Sequence, residues 1–218
     1  MSGIMHDYME TYIRSLINED DNILLEIEKY GIENKVPIVQ KETANFLKFM
    51  VHVKKPKRIL ELGTAIGYSA ILMERASTEN IYITTVERDD NMVIKATENI
   101  EKYGYEDYIK IEKGECEEIL DKLCKENTEP YDIIFMDAGK GHYSHFLPYC
   151  LKLLDKEGII IADNVLFRGM VASKELIVRR KITIVKRMKK YLEEVSNGEF
   201  ITSILPMGDG IAITIRRN

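Results

Sequence analysis

Residues 58–70 read RILELGTAIGYSA, and the fold is decided by how they are taken. The first five form a short, largely apolar run of the kind that makes a strand covered on both faces. Gly63 and Gly67 bracket the turn that follows, and a helix is predicted to begin near Tyr68 and Ser69. Strand, glycine turn and helix in succession open a βαβ unit. In open sheets built from such units, ligands bind outside the carboxyl ends of the strands, where this turn lies.

The pattern recurs toward the C-terminus. Strand-like runs follow at IYITTVE (81–87), YIKIEKG (108–114), YDIIFMDA (131–138) and GIIIADN (158–164). Helix-like stretches separate them: YSAILMERAS (68–77), NMVIKATENIEKYG (91–104), CEEILDKLCKEN (116–127) and YSHFLPYCLKLL (143–154). Alternation of this kind predicts a doubly wound α/β fold with a mostly parallel sheet. After residue 190 the rhythm changes. FITSILPM, GDG and IAITIRR (200–217) predict an antiparallel hairpin closing one edge, for seven strands in all. Residues 1–53 read as a helical cap on a core spanning 54–218, together one domain over 1–218.

Composition narrows the class. Hydrophobic residues are 45% and charged residues 31%, as in soluble globular proteins. No apolar run approaches the ~20 residues that span a bilayer, so no membrane association is expected. MSGIMHDYMETYIRSL lacks the basic-then-apolar order of a signal peptide. Cys116, Cys124 and Cys150 are odd in number and scattered, which suits reduced thiols in the cytoplasm rather than disulfides or zinc. Net charge is −5, but Arg168–Lys190 holds nine Lys or Arg against the single acid Glu175. That segment reads either as a solvated amphipathic helix or as an electrostatic footprint for phosphates.

The turn at 63–67 departs from a dinucleotide fingerprint, because Ala65 stands where the middle glycine would be and the third is absent. A dinucleotide oxidoreductase is therefore disfavoured. Glu87 ends the second strand about 24 residues beyond Gly63, where an acid can accept both ribose hydroxyls. An acid there with a relaxed glycine loop suits a nucleoside cofactor without phosphates, S-adenosylmethionine. Gly114 and Glu115, at the third strand end, could border its adenine, although Glu115 could equally be a first-turn helix acid.

Asp137 ends the fourth strand, and Asp163 and Asn164 end the fifth, so adjacent parallel strands would bring all three to one rim. Two carboxylates and an amide oxygen are hard ligands that suit Mg²⁺ or Ca²⁺. Three protein ligands leave positions for a substrate with two neighbouring oxygens, one a hydroxyl. Lys140, three residues from Asp137, could then take the hydroxyl proton. His142 and His145 read as helix-face residues rather than ligands. A nonenzymatic nucleotide- or RNA-binding module would not need this set.

These residues resemble a known family. ELGTAIGYSA, TVERD, DAGKGHY, ADNVLFRG and GDGIAI stand in the order found in class I S-adenosylmethionine-dependent, metal-dependent O-methyltransferases of the catechol and caffeoyl-CoA type. The resemblance covers about residues 36–215. It implies a Rossmann-like methyltransferase fold, Mg²⁺ on Asp137, Asp163 and Asn164, and catalysis by Lys140 with Asp137. It places Glu87 on the ribose, Gly63 and Ser69 around the methionine part, and Val39 at its end; Glu61, Tyr68 and Asp137 are counted with the cofactor-binding residues. VPIVQK, GTAIGYSAI and DNVLFRGMVA are most similar to the branch that methylates 5-hydroxyuridine in bacterial tRNA. On that reading Arg168, Arg179, Arg180 and Lys181 hold anticodon-loop phosphates. The alternative substrate is a small catechol or hydroxycinnamoyl compound. Relatives are commonly dimers, so a homodimer is expected.

Overall fold

The computed structural model describes residues 4–217. Three helices come first: α1 (Asp7–Ser15), α2 (Asn22–Glu33) and α3 (Lys41–Lys54). The core then alternates: β1 (Arg58–Leu62), α4 (Tyr68–Arg75), β2 (Tyr82–Glu87), α5 (Asp90–Lys102), β3 (Ile109–Lys113), α6 (Cys116–Lys125), β4 (Tyr131–Met136), α7 (Tyr143–Leu153) and β5 (Leu154–Ala162). A single 3₁₀ turn at Arg179–Lys181 leads into α8 (Ile182–Val195), and β6 (Phe200–Leu205) and β7 (Ile211–Arg216) form the hairpin. Asp21 and Asp89 start α2 and α5 by accepting two backbone N–H groups each, the usual work of an N-cap carboxylate.

The seven strands run in the order β3-β2-β1-β4-β5-β7-β6. β1 to β5 are parallel, while β7 lies antiparallel to β5 and to β6. Successive residues of the central strands enter opposite cores. Ile59, Ile133, Phe135 and Ile161 pack toward α2, α3, α4 and α5, whereas Leu60, Ile134, Met136 and Ile160 pack toward α6, α7 and α8. Burial on both faces is why these runs are apolar throughout. The chain reverses its winding between β1 and β4, which is where an open sheet leaves a crevice for ligand. Among the described residues, no helix is long and apolar enough to cross a membrane.

Candidate active site

Two cavities open beyond the carboxyl ends of the strands, sharing Gly63, Glu87 and Ala138. The larger, about 790 Å³, has Asp137, Lys140, Asp163 and Asn164 in its wall, with Val39 and Gln40 on another side. The smaller, about 650 Å³, is bounded by Gly114, Glu115, Cys116, His142 and Phe146. Gly63 sits where the ends of β1 and β4 nearly touch. A Cβ there would lie 3.1 Å from the Ala138 Cβ and 3.2 Å from the Asp137 carbonyl carbon, and φ is +107°.

The floor of the larger cavity is a hydrogen-bonded chain. Lys140 Nζ donates to Asn164 Oδ1 at 2.6 Å, and Asn164 Nδ2 donates to Asp137 Oδ1 at 2.8 Å. Asp163 Oδ1 accepts the Asn164 backbone N–H at 2.6 Å. Behind them the Tyr143 hydroxyl reaches the carbonyls of Met136 (3.0 Å) and Asp163 (3.1 Å), tying the ends of β4 and β5 together. Burial raises the Asp137 carboxyl above its ordinary range, with Lys140 opposing and Glu61 reinforcing. Burial also raises Asp163, and repulsion from Asp137 adds to it. Two buried carboxylates thus face one ammonium. Among the described residues no three His, Cys, Asp or Glu side chains form a metal cluster. The oxygen donors at this spot are two carboxylates and one amide. That set fits a hard divalent cation, whose charge would relieve the repulsion.

At the shared wall, Glu87 is fixed by backbone donors. Its Oε2 accepts from Ala65 N–H at 3.0 Å, and its Oε1 from Arg88 and Asp89 N–H at 2.8 and 3.0 Å. Ala65 does this from a left-handed conformation, φ +44°. The loop is therefore tightly wound despite its missing glycine. Three of the carboxylate's roughly four lone-pair sites are thus taken, and the one that remains, on Oε2, is open to a ligand hydroxyl.

The model of the O-methyltransferase family matches residues 14–217. The chain belongs to that family. It is 33% identical to a catechol O-methyltransferase of Niastella koreensis, over 78% of each chain. It is 31% identical to a caffeoyl-CoA O-methyltransferase of Populus kitakamiensis, over 87% of this chain and 82% of that one. A Staphylococcus aureus structure described as a candidate caffeoyl-CoA O-methyltransferase superposes with TM-score 0.87 at 30% identity, covering 97% of this chain and all of the other. The protein is thus an S-adenosylmethionine-dependent O-methyltransferase.

In this methyltransferase twelve of the predicted residues line the two cavities and four do not. Val39, Gly63, Glu87, Asp137, Lys140, Asp163, Asn164, Arg168, Arg180 and Lys181 line the larger cavity, and Gly114 and Glu115 the smaller. Glu61 and Ser69 are buried behind the cavities. The Thr85 hydroxyl donates to Glu61 at 2.5 Å; burial pushes the Glu61 carboxyl up to about 7 while Ser69 and Thr85 oppose. Tyr68 packs into the core shared with α2 and α3 and lines neither cavity. Arg179 is exposed beside the cavity without lining it. His142, read as a helix-face residue, stacks on Phe146 at 6.0 Å between centroids and borders the smaller cavity. Gln40, Phe167 and Asp209 also line the larger cavity. The GDG punctuation around Asp209 was the one sign of it in the sequence; Gln40 lies in the VPIVQK segment but was not singled out.

Proposed function

We propose that this enzyme methylates one oxygen of a small acceptor carrying two neighbouring oxygens, of the catechol type, with a divalent cation, Mg²⁺, at Asp137, Asp163 and Asn164. The observation that carries it is the floor of the 790 Å³ cavity, where two buried carboxylates, an amide and Lys140 converge. A volume of that order suits a small molecule. The activities named for the two sequence relatives point the same way.

S-adenosylmethionine supplies an electrophilic methyl on sulfur; Asp137, Asp163 and Asn164 would hold Mg²⁺, which would supply the positive charge that eases loss of the acceptor's hydroxyl proton. Glu87 accepts a ribose hydroxyl, Gly114 and Glu115 border the adenine, Val39 and Gly63 flank the methionine part, and Ser69 acts from behind through Glu61. Lys140 would first release its ammonium proton to solvent and leave Asn164 Oδ1; as the free amine it would then receive the acceptor's hydroxyl proton. The acceptor oxygen forms the new bond to methyl, the sulfur keeps the electron pair of the broken bond, and S-adenosylhomocysteine leaves with the methyl ether. Alignment of oxygen, methyl and sulfur is the enzyme's main contribution.

The second reading, 5-hydroxyuridine in a tRNA anticodon loop, is favoured by the cations at the cavity mouth, Arg168, Arg180 and Lys181, with Arg179 beside them. One experiment separates the two. Methyl transfer from labelled S-adenosylmethionine is measured to 3,4-dihydroxybenzoate and to tRNA lacking 5-methoxyuridine, each with and without EDTA. Label in the catechol that EDTA abolishes supports the first reading. Label confined to tRNA, and lost on Arg180→Glu with Lys181→Glu, replaces it with the second. Transfer unaffected by EDTA removes the metal from both.

A further inference from the structure

The segment that follows β5 takes an unusual path. Asn164, Phe167 and Arg168 have φ of +62°, +44° and +56°. Asparagine tolerates this region, but a phenylalanine and an arginine in succession are strained there and persist only where the surroundings over-determine them. The surroundings here are the turn between β6 and β7. Val165 N–H donates to the Gly210 carbonyl at 2.9 Å and Leu166 N–H to the Asp209 carbonyl at 3.0 Å. The Asp209 side chain accepts the Arg168 N–H through Oδ1. The approach is close enough to require glycine, since a Cβ on Gly210, at φ +90°, would lie 2.8 Å from Leu166 N. On its other side the same turn approaches the start of α3, where a Cβ on Gly208 would lie 3.0 Å from Thr43 Oγ1 and 3.9 Å from Oε1 of Gln40, which lines the cavity.

We infer that Asp209 is a positioning residue of the acceptor pocket: its side-chain bond to the Arg168 N–H holds residues 164–168 on their left-handed path. Asn164 is thereby presented to Asp137 and Lys140, and Phe167 and Arg168 are set as the wall against which the acceptor lies. This rests on reading the larger cavity as the acceptor pocket. A rival role is open to the same group, because Asp209 is 8% exposed, lines the cavity and faces Lys140 and Arg168. It could act as a counter-charge and not as a hydrogen-bond anchor. The two roles predict opposite orders for two conservative variants. Asp209→Asn keeps an oxygen at the anchoring position and removes the charge. Asp209→Glu keeps the charge and moves the oxygen by one methylene.

Hydrogen–deuterium exchange of the peptide covering residues 165–170, followed by mass spectrometry on the full-length protein without substrate, reads the anchor directly. The expected result is exchange within threefold of wild type for Asp209→Asn and at least tenfold faster for Asp209→Glu, with peptides from β1 and α8 unchanged in both. Slow exchange in Asp209→Glu with fast exchange in Asp209→Asn overturns the inference in favour of the counter-charge. Equal behaviour of the two variants, fast or slow, also overturns it. A second readout is the split between substrates. KM for 3,4-dihydroxybenzoate should rise at least tenfold more in Asp209→Glu than in Asp209→Asn, while the Kd for S-adenosylmethionine differs between them by less than twofold. Equal rises in both constants would mean general loosening and overturn it. Failure of wild type to methylate 3,4-dihydroxybenzoate would count against the acceptor reading alone, since the exchange experiment uses no acceptor.

Discussion

At the scale of single residues, charge without water dominates the site. Glu61 is wholly buried, so its folded carboxyl binds a proton more tightly than the unfolded chain does, with a value pushed up to about 7 from 4.5. The sign follows from linkage. The buried carboxyl favours folding least when it must be charged, so stability is greatest below the unfolded value and falls as pH rises through about 7. The span corresponds to no more than about 3 kcal/mol. Glu61→Gln should flatten that slope, and thermal unfolding of the cofactor-free protein at pH 5 and pH 8 measures it. Equal pH 5 to pH 8 differences in wild type and variant would show that Glu61 does not titrate in this window. Lys140→Met addresses the chemistry. Turnover should drop by roughly 10²–10⁴, the usual worth of a general base, while calorimetric affinity for S-adenosylmethionine holds within twofold. Loss of both would make Lys140 a binding residue instead.

At the scale of elements, the turn from β1 into α4 carries the tightest constraint. Gly63→Ala meets two penalties, a φ of +107° and contacts of 3.1–3.2 Å with Ala138 and Asp137. Together these should cost about 2–4 kcal/mol. Gly104→Ala, at φ +75° with nothing within 4 Å, meets the first penalty alone and should cost about 1 kcal/mol. Urea midpoints compare them, and equal losses would mean that the contact with β4 is not felt. This turn was legible in the sequence because a glycine between a buried strand and a helix marks a tight connection that a side chain would obstruct. The strands were legible too, since burial on both faces writes itself as an unbroken apolar run. Asp137, Asp163 and Asn164 could be placed because strand ends in a parallel sheet share a rim. Asp209 and Gln40 could not, because what brings them to the cavity is the packing of a distant hairpin and of a helix start. Tyr68 shows the converse. Its place at the head of α4 suggested the cofactor, yet the helix turns that face into the core.

At the scale of the whole molecule, a side chain of α1 is tied to the wall of the site. Arg14 on α1 donates to Glu42 at 2.7 and 2.9 Å, to Glu10 at 2.6 Å and to Gln40 at 2.7 Å. Glu42 is 2% exposed and Gln40 lines the larger cavity. Arg14→Ala would leave a buried carboxylate without its cation, at about 1–3 kcal/mol, and free Gln40 to turn. A fall in melting temperature accompanied by weaker S-adenosylmethionine binding is the expected pair. A stability loss with unchanged binding would confine Arg14 to holding α1 in place.

The placement of β7 has a consequence in time. β7 is the last strand in chain order, yet it lies between β5 and β6, against the central part of the sheet. During synthesis the strand carrying Ile159, Ile160 and Ile161 emerges some fifty residues before its antiparallel neighbour. At ribosomal rates of about 5–20 residues per second, that leaves an apolar, unpaired edge open for several seconds. The nascent chain is therefore most vulnerable to clumping late in translation. A ribosome that stops within α8 releases a product with neither a closed sheet nor a formed pocket, so premature termination yields no half-active enzyme.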